Sequence, residues 1–171
     1  MKKLIIAFVA IATAAICNAA AVSWQSGAVY KTDGTTKVGK GATDYLVTIA
    51  FFSDSAGANA VTGLTGDLSA DTAGTGSKYS GVVEGFEAGQ TYYGQIIITT
   101  SGYEAKSEIA EFKTQGTGAT AINFSDGSGF AAGFSGFSTA NAGAWQAVPE
   151  PTSGLLMLLG LAGLALKRKR A

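Results

Sequence analysis

The sequence predicts an all-β body, a single β-sandwich, and three observations carry that reading. The first is period. "DYLVTIAFF" (44–52) alternates Tyr45, Val47, Ile49 and Phe51 with Leu46, Thr48, Ala50 and Phe52. Both sides are largely apolar, as in a central strand covered on two faces. The second is punctuation. "VSWQSGAVYK", "YSGVVEGF", "TYYGQIIITT" and "SEIAEFKT" are short β-rich runs separated by Gly, Asp, Ser and Thr clusters, which favour turns. The third is what the body lacks: no stretch sustains the i, i+3, i+4 spacing of an amphipathic helix.

The chain opens differently. Lys2 and Lys3 precede the apolar run Leu4–Ala15 and the small residues of "ICNAAAVSW". A basic start, a short apolar centre and small residues at a cut point describe a secretory signal peptide, here a helix over 1–21. Cleavage after Ala19 or Ala21 fits best. Ile16 is too bulky for the residue before a lipidated cysteine, which argues against a lipoprotein reading through Cys17.

The sandwich is expected over 22–114. Counted over 22–147, six basic residues face eleven acidic ones, a net charge near −5, although the whole chain is formally neutral. An acidic surface argues against nucleic acid and anionic lipid as partners. Cys17, the only cysteine, leaves with the signal peptide, and histidine is absent. Ser-His-Asp and Cys-His catalysis are therefore excluded, and zinc loses its main ligands.

Within the body, "FEAGQTYYGQIIITTSGYEAKSEIAEFKT" (86–114) resembles the last third of a fibronectin type III domain. The resemblance makes Tyr92 the corner tyrosine, with Phe86 six residues before it and Gly89 and Thr91 in the intervening turn. It makes "YYGQIIITT" the next-to-last strand and Ser107–Thr114 the closing one. Such a tyrosine buries its ring and bonds its hydroxyl to upstream backbone. Trp24 would be the buried tryptophan of an early strand, with Tyr45 opening the next. Two departures stand out. Almost nothing precedes Trp24 in the processed chain, so the family's first strand is missing or replaced, and Ala88 stands where a proline is expected.

Residues 115–147 change composition to Gly, Ala, Ser and Phe, with Gly-Phe at 129–130, 133–134 and 136–137 and Asp126 the only charge. Three readings stay open: a flexible spacer, an added strand with Phe124, Phe130, Phe134 and Phe137 packed on the domain, or a self-associating segment.

The tail, 148–171, holds both prolines, then the unbroken apolar run Leu155–Leu166, then Lys167, Arg168, Lys169 and Arg170. Counted as a helix from Thr152, the apolar stretch covers about 22 Å, short of the ~30 Å hydrocarbon core. It inserts only with strain or thinning of the bilayer, and the basic end stays cytoplasmic. Pro149 and Pro151 force an extended approach bearing Glu150. Val148-Pro149-Glu150-Pro151, the apolar run and the basic end together resemble the PEP-CTERM sorting domain of exported bacterial proteins. The resemblance implies recognition by an exosortase, a membrane protease and transferase, transient holding in the inner membrane and removal near Pro-Glu-Pro. It implies a final place at the cell surface or in extracellular polysaccharide.

The remaining chemistry is sparse. "GTTKVGKG" (34–41) has phosphate-loop spacing, but Gly41 replaces the magnesium-holding Ser or Thr and a strand follows where a helix is required. It reads as a turn. Asp67 and Asp71 lack the spacing of a calcium loop. Tyr30, Tyr79, Tyr93 and Tyr103 with Trp145 could form a sugar-stacking face, though core packing explains most of them equally well. The expectation is an exported structural or adhesive protein with no catalytic residues, no cofactor and no metal. The alternatives are a small carbohydrate-active enzyme using two carboxylates, or a permanently tail-anchored envelope protein.

Overall fold

Ala19–Gln25 forms the first strand (β1) and buries Ala20, Val22 and Trp24 on its inner side. The structure, a computed structural model, describes residues 19–148. It is all-β. Leu46–Phe52 (β2), Thr65–Gly66 (β3), Ser69–Ala70 (β4), Ser80–Glu87 (β5), Thr91–Thr100 (β6), Tyr103–Lys106 (β7), Ala110–Lys113 (β8), Ala119–Asn123 (β9) and Gln146–Ala147 (β10) follow, with single 3-10 turns at Thr75–Ser77 and Ala142–Ala144. The expected signal and C-terminal helices fall outside the described residues, except that Ala19–Ala21 belong to β1.

Two sheets face one core. The first has the order β3-β5-β1-β9, the second β10-β7-β6-β2-β4, with β8 also paired to β6. All pairings are antiparallel except β1 with β9. Alternation decides which side chains turn inward. In β2 Val47, Ile49 and Phe51 are buried, and in β6 Tyr92, Ile96 and Ile98. Between the sheets, Phe86 meets Phe51 edge-on at 5.0 Å and Phe112 at 6.1 Å. Such edge-to-face pairs add to the burial that holds the layers together.

Tyr92 occupies the corner that the sequence assigns to it. Its hydroxyl accepts the Glu87 N–H at 3.1 Å, and its ring lies 5.1 Å from Phe86. The expected closing strand over Ser107–Thr114 is shorter, and β7 precedes it. Both pair with β6, β7 at Ile97–Thr100 and β8 at Thr91–Gly94. Ser107 sits at the break, where its Oγ accepts the Ile96 N–H at 3.1 Å and its own N–H donates to Ile96 O at 3.0 Å. A side-chain hydroxyl thus carries the ladder across the interruption.

The spacer reading of 115–147 gives way to added strands, and the folded body runs on past Thr114. β9 pairs in parallel along β1, Trp24 opposite Ile122. Beyond it, Phe124 is fully buried, and Phe130 lies 4.8 Å from both Phe124 and Phe134. Phe130 bridges to Phe112 of β8, and Ala131 N–H donates to Glu111 O at 2.7 Å. The Gly-Phe segment therefore closes the open flank between β9 of one sheet and β8 of the other.

Candidate functional site: the junction of body and tail

β6 and β7 turn through Ser101-Gly102, placing Thr100 opposite Tyr103. β10 then adds to the outer edge of β7, Gln146 opposite Glu104 and Ala147 opposite Tyr103. The Val148 N–H donates to Gly102 O at 2.9 Å, so the backbone is paired up to the residue before Pro149. Trp145 anchors this arrangement. It is buried, edge-on to Tyr45 at 5.9 Å. The turn before it is capped by Asn141, whose Oδ1 accepts the Gly143 N–H at 2.8 Å. Pro149, Glu150, Pro151, Lys167, Arg168, Lys169 and Arg170 lie outside the described residues. What is described is the mount from which the motif begins.

This end of the body has its own surface chemistry. Leu46, Tyr103 and Val148 are each 43 % exposed, and with Val82 they are the exposed large hydrophobics among the described residues. Leu46 pairs with Thr99, Thr99 with Glu104, and Tyr103 with Ala147, so the three share one end of the second sheet. Glu104 and Lys106 form an ion pair at 2.9 Å and offset each other's charge. Beneath, Tyr79 is pushed up to about 12, by burial first and then by the Asp44 charge. Its hydroxyl and the Trp145 Nε1 are buried with no hydrogen-bond partner.

Several of the body's carboxylates, the raw material for two-carboxylate catalysis or calcium binding, already accept hydrogen bonds within the fold. The Asp33 carboxylate accepts the Thr35 and Thr36 N–H groups, both at 2.8 Å, and is held down from the usual 3.8 to about 2, the Thr36 N–H contributing most. Asp54 accepts from Ala56, Ala58 and Asn59, and is likewise held below its ordinary range, Ala58 first. Asp126 is lowered by Ser128, through its side chain and then its N–H. Asp67 accepts the Val82 N–H at 3.2 Å, and its carbonyl accepts Trp24 Nε1–H at 2.7 Å. Asp71 accepts the Thr72 hydroxyl. No group of three or more Asp, Glu, His or Cys that could hold a metal ion occurs among the described residues. Residues 34–41 form turns and no phosphate loop: Tyr30 and Lys37 bridge across residues 31–36, and the Lys37 ammonium lies 5.7 Å above the Tyr30 ring.

The aromatics proposed for sugar stacking do not assemble into one face, because Tyr79 and Trp145 are core residues while Tyr103 is exposed. Ala19 and Ala21 flank buried Ala20 in β1, with Ala19 opposite Glu87 and Ala20 opposite Phe86. The β10 contact escaped the sequence reading. Its signal was present in "WQAV", where Trp145 and Ala147 alternate with Gln146 and Val148 directly before the prolines.

Among the described residues no helix is long and apolar enough to cross a membrane. No curated protein and no solved structure matches the chain. Residues 147–170 match the family model of the PEP-CTERM protein-sorting motif. The match begins at the last residue of β10 and takes in the prolines, the apolar run and the basic end. The chain thus carries, directly on its folded body, the PEP-CTERM signal of an exported protein sorted by an exosortase.

Proposed function

We propose that this protein is a structural or adhesive component of the cell surface or of an extracellular polysaccharide matrix, delivered there by exosortase processing near Pro149–Pro151. The observation that carries the reading is the sorting motif at residues 147–170 joined to an all-β body with no residue between them. The inner membrane is a transient station, and the exosortase is the partner that ends it. An adhesive role suits a body in which Asp33, Asp54 and Asp126 are engaged by the backbone of their own loops. The two sheets form a fibronectin type III or immunoglobulin-like sandwich. That finer reading rests on Trp24 and Tyr45 in the core and the Tyr92 corner, with β9 standing in for the first strand.

The test is mass spectrometry of the protein from producing cells and from cells lacking the exosortase, combined with fractionation. The expected result is a chain ending near Pro149–Pro151 in the surface or matrix fraction, and an intact C-terminus in membranes when the exosortase is missing. An intact C-terminus in both would establish the permanently anchored alternative.

A further inference from the structure

Between Val148, hydrogen-bonded to Gly102, and Leu155, where the apolar run starts, stand six residues, 149–154. Fully extended they reach about 20 Å. The headgroup layer, roughly 5–8 Å on each side of the hydrocarbon, takes part of that span. While the tail is inserted, the β6–β7 end of the body therefore stands within about 15 Å of the lipid surface even at full stretch. That end is also where Leu46, Tyr103 and Val148 gather, three of the four exposed large hydrophobics among the described residues. Tyrosine suits the membrane–water boundary, having an apolar ring and a wet hydroxyl. Glu104 and Lys106 are paired with each other, and Asp44, whose carbonyl accepts the Thr100 hydroxyl at 2.9 Å, is the exposed carboxylate beside Leu46.

We propose that, until the tail is cut, the body is seated on the outer leaflet by its β6–β7 end, with Leu46, Tyr103 and Val148 in contact with the headgroup–acyl boundary. This inference rests on the reading of the tail as a membrane-inserted segment. It adds a lipid-contacting surface on the folded domain, and it fixes orientation. β6 runs Thr91–Thr100, so its ten residues put the β5–β6 turn at Gln90 about 30 Å from the lipid. Cutting the tail removes the tether, and three side chains alone do not hold a domain on a bilayer. The surface therefore releases with processing.

The experiment uses the signal-processed chain with its tail, residues 20–171, which contains no cysteine because Cys17 lies upstream. Single variants Tyr103→Cys, Leu46→Cys, Gln90→Cys and Leu158→Cys are labelled with an environment-sensitive fluorophore. They are reconstituted in phosphatidylcholine vesicles carrying a spin-labelled quencher at the headgroup–acyl boundary. The expected result is strong quenching at 158 and quenching at 103 and 46 several-fold above that at 90. Quenching at 158 with 103 and 46 no different from 90 would overturn the seated orientation while leaving the inserted tail intact. An unquenched 158 probe would overturn the inserted tail and the orientation with it.

Discussion

A glycine precedes each of three phenylalanines in the flank segment, and each glycine has a left-handed φ: +84° at Gly129, +120° at Gly133, +103° at Gly136. A Cβ on Gly129 would strike the Ala121 carbonyl oxygen, and one on Gly136 that of Ser125. The recurrence is a backbone requirement. Gly129 and Gly136 let the chain pass close against neighbouring backbone, so that the ring after each packs on the core, while Gly133 supplies the left-handed φ alone. Gly129→Ala is expected to destabilise the body by more than about 1 kcal/mol, as strain at such positions does, read in a urea melt. Tyr92→Phe keeps the ring and removes the acceptor for Glu87 N–H. The expected loss is about 1 kcal/mol, seen as a few degrees in Tm. Asp33 provides a pH reading. Its folded value is depressed, so its grip on Thr35 and Thr36 is present above the ordinary carboxylate range and fades as pH falls towards about 2. The amide proton shifts of Thr35 and Thr36 should titrate with that low midpoint, and lose the transition in Asp33→Asn.

At the scale of elements, local pattern located the strands that obey period two, and non-local pairing hid the rest. β2 and β6 were legible because each alternates over seven or more residues; β5 showed through its β-rich composition, since a bulge at Gly85 breaks its alternation. β3, β4 and β10 are two residues long and exist only through partners elsewhere in the chain. β9, "ATAIN", carries one large apolar residue and is defined by parallel pairing along β1, which no neighbouring residue announces. For the site the position was reversed. The sorting motif was readable in full from residue order, while its mount on β7 was not. The added strands are integral to stability. A chain ending at Thr114 loses one of the two partners of β1 and the fully buried Phe124, and is expected to be unfolded or rapidly degraded in limited proteolysis. Phe124→Ala in the full chain should cost about 3–5 kcal/mol.

For the whole molecule, the two ends of the body point apart. Ala19 lies opposite Glu87, beside the β5–β6 turn, whereas Val148 leaves beside Gly102 at the far end of β6. A cut after Ala19 leaves Ala20 to fill its buried place against β5, and a cut after Ala21 removes it. The mature N-terminus is therefore expected at Ala20, read directly from the intact mass of the exported chain. The parallel clasp of β1 by β9 sets a timetable as well. The earliest strand to emerge during translocation has an empty flank until residues 119–123 arrive, and aromatic ring closure waits for Phe130 and Phe134. Threading through a narrow conduit demands a chain that stays unknotted and pliable to nearly its last third, and this wiring postpones completion until passage is almost over.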